Sequence, residues 1–243
     1  MSLLPQHAFR TRYSEFLNSC GVPGSLEYSE AMEQAYTDPS RAYHNNTHIT
    51  FMLDKLAGDI SSGQIILTDW EQKCVTFAIY WHDFVYDSQT QANDNERQSI
   101  IEWKYFVDQV SRISPILQTY LQPVSILIDC TIKHAVPDIM ESPLLSTNVI
   151  SYFLDLDLAI LASERDVYST YANNIRKEYR SYPLQDYRNK RAEVLKGFLD
   201  REKIFLMSRI EGKEDSMRGM EEKARENVGW EVGELEAGRM PEE

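Results

Sequence analysis

Along almost the whole chain, apolar residues recur with the period of an α-helix, and sustained period-2 alternation is hard to find. In 69–81, DWEQKCVTFAIYW, the residues Trp70, Cys74, Phe77, Ala78 and Trp81 fall on one helical face, with Asp69 placed to cap the segment. Residues 93–110 continue the pattern through Ile100, Trp103 and Val107. Pro123 suits the first turn of a further helix, on which Val124, Leu127, Thr131 and His134 share a face. Ser163 can cap a helix bearing Tyr168, Tyr171, Ala172, Ile175 and Tyr179, an aromatic stripe that reads as core and not as a base-stacking platform. A last long helix, roughly 187–208, carries Val194, Leu195, Phe198, Leu199 and Phe205. These segments predict an all-α chain: a helical bundle in a single domain.

With 243 residues, 42% hydrophobic and 26% charged, the chain can bury a substantial core. Its character changes after about residue 210. The stretch EGKEDSMRGMEEKARENVGWEVGELEAGRMPEE holds eleven acidic and five basic residues among several glycines and few apolar anchors. Such a composition does not offset the entropy of ordering, so residues 1–210 are expected to form the folded domain and 211–243 a disordered acidic tail, with room for a short helix around 217–227.

A net charge of −13 argues against a nucleic-acid backbone or an anionic membrane surface as the main partner. An anionic small molecule stays compatible if a metal and a few basic residues reverse the potential locally. Cys20, Cys74 and Cys130 show no CxxC spacing and do not read as a disulfide framework or a thiolate zinc site. Cys74 and Cys130 lie in apolar runs as small hydrophobes. The first residues lack a basic segment followed by a long apolar run, and no stretch approaches the roughly 20 apolar residues that span a bilayer. The expected setting is therefore the cytoplasm, without a membrane. The sequence leaves the oligomeric state open, a homodimer included.

GxGxxG after a strand, GxxxxGK[ST] and GxSxG are all missing, so the familiar phosphate-loop and serine-hydrolase sites have no basis here. What stands out is AIYWHDFVYD, residues 78–87, where His82 and Asp83 follow one another at the end of an apolar helical run. Neighbouring side chains on a helix diverge by about 100°, so the pair can grip one ion from two sides where the helix ends. A buried histidine and a loop-starting aspartate are the plain alternative. Two more of the five histidines, His44 and His48, stand four residues apart in RAYHNNTHITFMLDKLA, on one face if the helix starts near Asn45.

Together, RAYHNNTHI, HDFVYD, DNERQS, FLDLDLAIL and YANNIRKEY resemble the HD superfamily of metal-dependent phosphohydrolases, close to a bacterial and fungal subgroup of predicted HD phosphohydrolases. These phrases run from about residue 36 to 206 in the right order. The resemblance implies an HD-type helical fold and a metal held by His82 and Asp83, with His48 or His44 as the first ligand and one of Asp155 and Asp157 as the last. YHNNTH also looks like the YHNxxH of cyclic-nucleotide phosphodiesterases, where the second histidine binds metal and the first protonates the leaving oxygen. That likeness favours His48 as ligand and His44 as general acid. Family patterns favour Asp157 as the last ligand, with Asp155 capping or bracing the helix.

Two imidazoles and two carboxylates suit Mn, Fe, Co, Ni or Zn, with Mg also admitted, and not calcium. Such an ion activates water and polarises a P–O bond; one metal is favoured, although Asp83 could bridge a second. Around it, Glu96 is a candidate general base, against a capping box with Asn93. Asp87 is a candidate partner of ligand or water, against a loop cap. His134, with Lys133 beside it, is a candidate for binding substrate phosphate, against a core histidine. Arg41 is preferred over Arg176 and Arg180 as a phosphate-binding arginine, against surface ion pairs. The expected activity is hydrolysis of a phosphate ester of a small molecule, a nucleotide first. The alternatives are an HD-fold lyase or oxygenase with a di-iron centre, which needs further histidines, and a non-catalytic regulatory module with a structural metal.

Overall fold

A computed structural model of the chain describes residues 5–22, 26–89, 94–137, 144–209 and 214–239. It is all-helical, and no strand occurs among the described residues. The chain divides into two compact units, residues 1–150 and 151–243, where the sequence suggests one domain ending near 210. No composition shift marks that division, because it falls inside a continuous apolar helix, Thr147–Asp157.

The first unit contains α1 (Pro5–Ser19), α2 (Leu26–Tyr36), α3 (Asn46–Ser61), α4 (Asp69–Trp81), α5 (Asp94–Ser111), a short 3-10 turn (Pro115–Leu117) and α6 (Gln118–Thr131). Helix α4 is its axis. From Phe77 to His82 every residue is buried, so the C-terminal half of this helix is enclosed on all sides. Phe77 packs on Phe16 of α1 and Trp103 of α5, Tyr80 on Tyr13 of α1, and Trp81 on Trp103 and Phe106 of α5. Thr68, not Asp69, caps α4: its hydroxyl accepts from Glu71 N while Glu71 reaches back to Thr68 N. Pro123 lies in the second turn of α6, because the preceding 3-10 turn runs straight into that helix. The three cysteines are buried free thiols.

The second unit holds α7 (Thr147–Asp157) from Ser151 onward, a 3-10 turn (Leu158–Ala162), α8 (Arg165–Glu178), α9 (Leu184–Leu199), a second 3-10 turn (Leu206–Arg209) and α10 (Glu214–Glu236). Glu164 stands at the N-cap of α8 without a side-chain capping bond, its carboxylate pairing with Lys223 instead, and Ser163 closes the turn before it. The helix expected at 187–208 is instead α9, a break, and the turn at 206–209.

Helix α10 replaces the expected disordered tail. Ala224, Val228, Val232 and Leu235 form a buried stripe on it at helical spacing, and it packs on α8, α9 and both 3-10 turns. Two of its carboxylates, Glu221 and Glu231, are drawn inside. Glu231, 1% exposed, accepts from Tyr168 Oη at 2.6 Å and from Arg191 Nε at 2.8 Å. Asn227 donates to the carbonyls of Leu161 and Ser163. Average composition concealed that these polar residues have partners.

Candidate metal centre

Two helix ends in the first unit build the site. Asn45 starts α3: its Oδ1 accepts from Thr47 N at 2.9 Å, and its Nδ2 donates to the carbonyls of Ala42 and Arg41. His48 therefore sits in the first turn of α3, buried to 4% exposure. His44 precedes the cap and lies in the turn, not on the helix face it was expected to share with His48. On the other side, α4 ends at Trp81 and delivers His82 at its C-cap, with Asp83 next.

Among the described residues, His48, His82 and Asp83 are the one group of His, Cys, Asp or Glu able to offer three ligand atoms within 4.8 Å of one another. His48 Nε2 and His82 Nε2 are 3.3 Å apart, and Asp83 Oδ2 lies 3.1 Å from the latter and 3.9 Å from the former. A point equidistant from three atoms so spaced lies about 2.0 Å from each, the length of a metal–nitrogen bond. His82 Nδ1 meets the carbonyl oxygen of Ile79 at 3.0 Å. A carbonyl only accepts, so Nδ1 carries the proton and Nε2 presents its lone pair to the shared point. The three residues fit a divalent cation on spacing, and His82 also on tautomer.

The turn after α4 is braced from two sides. The phrase DNERQS places Asn95 and Ser99 on one face of α5. Val85 N donates to Ser99 Oγ at 3.0 Å, Asp87 N to Asn95 Oδ1 at 3.0 Å, and Asn95 Nδ2 to Asp87 O at 3.1 Å. Asp87 is exposed and its Oδ1 accepts from Gln89 N, so the carboxylate expected to act in catalysis shapes its own loop. Arg41 is likewise engaged with the backbone. It is 8% exposed, donates to the backbone carbonyls of His44, Asp83 and Phe84, and lies against the rings of Tyr36 and Tyr86. Arg176, the alternative, donates to the carbonyls of Tyr179 and Tyr182 beyond its own helix.

His44 stacks on Tyr86 with ring centroids 4.3 Å apart, and its ring centre is 6.1 Å from that of His48. It stands beside the cluster and is not a member of it. Glu96, in the first turn of α5, has its Oε2 buried with no hydrogen-bond partner among the described residues. Burial pushes its carboxyl above the ordinary range, and the Asp83 charge adds to this, while His134 and His82 oppose it. Glu96 therefore shares an electrostatic neighbourhood with the cluster. Asn93, its alternative capping partner, lies outside the described residues.

His134 is not on the apolar face of α6 but just past its end, half-buried, with φ +44°. There Ala135 N reaches back to Cys130 O, a helix-stop arrangement that glycine normally fills. Lys133, beside it, is exposed. In the second unit, Asp155 is buried and accepts the amides of Leu206 and Met207 at 2.7 and 2.8 Å, holding the second 3-10 turn; Asp157 ends α7 half-buried.

No protein-family model matches the chain, and no curated protein and no solved structure matches it. The bracing roles of Asn95, Ser99 and Arg41 and the Tyr86 stack escaped sequence reasoning. Only the i, i+4 spacing of Asn95 and Ser99 could have hinted at the first of these.

Proposed function

We propose that the chain is a metal-dependent phosphohydrolase cleaving a phosphate ester of a small molecule, with a nucleotide as the favoured substrate class. The observation that carries this reading is the His48–His82–Asp83 triangle, sized for one cation and seated where the buried end of α4 meets the start of α3. A Mn, Fe, Co, Ni or Zn ion bound there would lower the pKa of water and polarise a P–O bond.

The chain's own groups take the remaining roles. Glu96, whose buried carboxyl holds its proton more tightly than usual, orients the attacking water and accepts its proton at Oε2. His44, held flat against Tyr86, donates a proton to the leaving oxygen. His134 and Lys133, at the end of α6, bind phosphate oxygens. A fourth ligand, Asp157, rests on the resemblance of FLDLDLAIL alone. Phrases in family order around the same residues support the reading.

The test is elemental analysis of the purified chain together with phosphate release from a nucleotide panel in Mn, Co, Ni and Mg. The expected result is about one transition metal per chain, lost together with phosphate release in Asp83→Ala. Two irons with no phosphate release, or no metal under any condition, would overturn it.

A further inference from the structure

We propose that Arg41 is the positioning residue of the metal centre: its guanidinium ties the turn before α3 to the turn after α4 and so sets His48 against His82 and Asp83. The inference rests on the metal reading above and assigns Arg41 a role in holding the cation, not in binding the substrate.

Nη1 donates to His44 O at 3.1 Å and to Asp83 O at 2.6 Å, and Nη2 donates to Phe84 O at 2.8 Å. One planar group thus bridges the turn that leads into α3, whose first turn carries His48, and the turn that carries Asp83. Its central carbon lies 5.0 Å from the ring centre of Tyr36 and 5.6 Å from that of Tyr86. Tyr36 is itself anchored by a bond to Tyr80 O on α4. The guanidinium is therefore held by three hydrogen bonds and two ring contacts.

The consequence for the cation is geometric. Ligand atoms 3.1 to 3.9 Å apart meet one ion only while the two turns keep their separation. Without Arg41 the two turns lose the one guanidinium that bonds to both, they drift, and the shared point is lost before either helix unfolds. Lysine cannot replace the fork, because a single ammonium does not span three carbonyls spread over two turns. A residue that binds substrate phosphate would leave metal affinity unchanged in phosphate-free buffer; a clamp would not.

The experiment titrates Co²⁺ into the chelated full chain in phosphate-free buffer, for wild type, Arg41→Lys and Arg41→Ala. Uptake is followed by calorimetry and by the d–d absorption that reports ligand geometry, with helicity as the folding control. Wild type should saturate, Arg41→Lys should bind roughly 10-fold more weakly and Arg41→Ala roughly 100-fold, each with an altered d–d spectrum. If folded Arg41→Lys and Arg41→Ala bind with wild-type affinity and spectrum, the clamp is wrong and the metal reading stands. If Arg41→Ala loses helicity, Arg41→Lys decides alone: folded with wild-type affinity and spectrum it overturns the clamp, and weakened it supports it. If wild type takes up no cobalt, the metal reading falls and takes the clamp with it.

Discussion

Glu221 on α10 offers the sharpest test of whether the acidic C-terminal segment is part of the fold. It is 4% exposed, and its two oxygens accept from Ile204 N at 3.1 Å each, while Oε2 also takes Phe205 N at 3.1 Å. One turn on, Arg225 pairs with it at 2.7 Å and donates to the carbonyls of Leu199, Arg201 and Glu202. These two side chains hold both sides of the break between α9 and the second 3-10 turn. Glu221→Ala leaves two amides buried without acceptors, at about 1–3 kcal/mol each. Arg225 is 32% exposed and keeps three carbonyls, so its share of the loss is small. The expected loss is about 3–5 kcal/mol. Glu221→Gln, which keeps one acceptor oxygen, should lose about half as much. Urea unfolding followed by circular dichroism gives the free energies, and hydrogen exchange reports the amides of 204–207. A loss below about 0.5 kcal/mol with unchanged exchange at 204 and 205 would refute the docking of α10 and return the segment to the disorder its composition suggests.

Three further outcomes follow from the first unit. Burial raises the Glu96 pKa above the unfolded value near 4.5, so the chelated chain binds that proton more tightly when folded. The group's contribution is fully present below the unfolded value and is lost as pH rises through the folded one. Glu96→Gln should match wild type near the acid end and become progressively more stable than it above, in denaturant titrations at stepped pH; a gap constant with pH would count against this. His134→Gly relieves a left-handed backbone worth about 1 kcal/mol and should raise stability while lowering phosphate release; a stabilised chain with full turnover would remove His134 from the site. His48→Ala should lose the metal, whereas His44→Ala should keep it and lose turnover, by metal analysis and phosphate assay; the reverse pattern would exchange the two roles.

How legible a segment was depended on what fixed it. The apolar period read 69–81 as a helix, and α4 has those bounds, because Cys74, Phe77, Ala78 and Trp81 at helical spacing are all buried. Its cap was read one residue late, since Thr68 and Asp69 are both competent and only the reciprocal bond with Glu71 decides. For α10, composition and period disagreed. The stripe of Ala224, Val228, Val232 and Leu235 was present in the sequence, but Glu221, Arg225 and Glu231 were counted as solvated when each finds a partner inside. The division at 150/151 had no signal, because a helix runs through it.

In the site, the side chains of His48, His82 and Asp83 could be picked out by type and spacing, since imidazole and carboxylate are the groups that hold a cation. The roles of the arginines could not be, because they act on backbone carbonyls, which every residue carries. Arg41, Arg176 and Arg225 make the same kind of contact. Each donates to carbonyls just past a helix C-terminus, after α4, α8 and α9 respectively. An all-helical chain has many such orphan acceptors, and the negative end of the helix dipole favours a cation there. A forked, permanently charged side chain satisfies several of them at once. In a fold of this kind an arginine near a helix end is therefore first a candidate clamp. Its assignment to substrate phosphate needs donors left over after the carbonyls are served. Arg41 commits three of its five N–H donors to carbonyls of the two turns and lies near the rings of Tyr36 and Tyr86, which is why its effect is sought first in metal affinity.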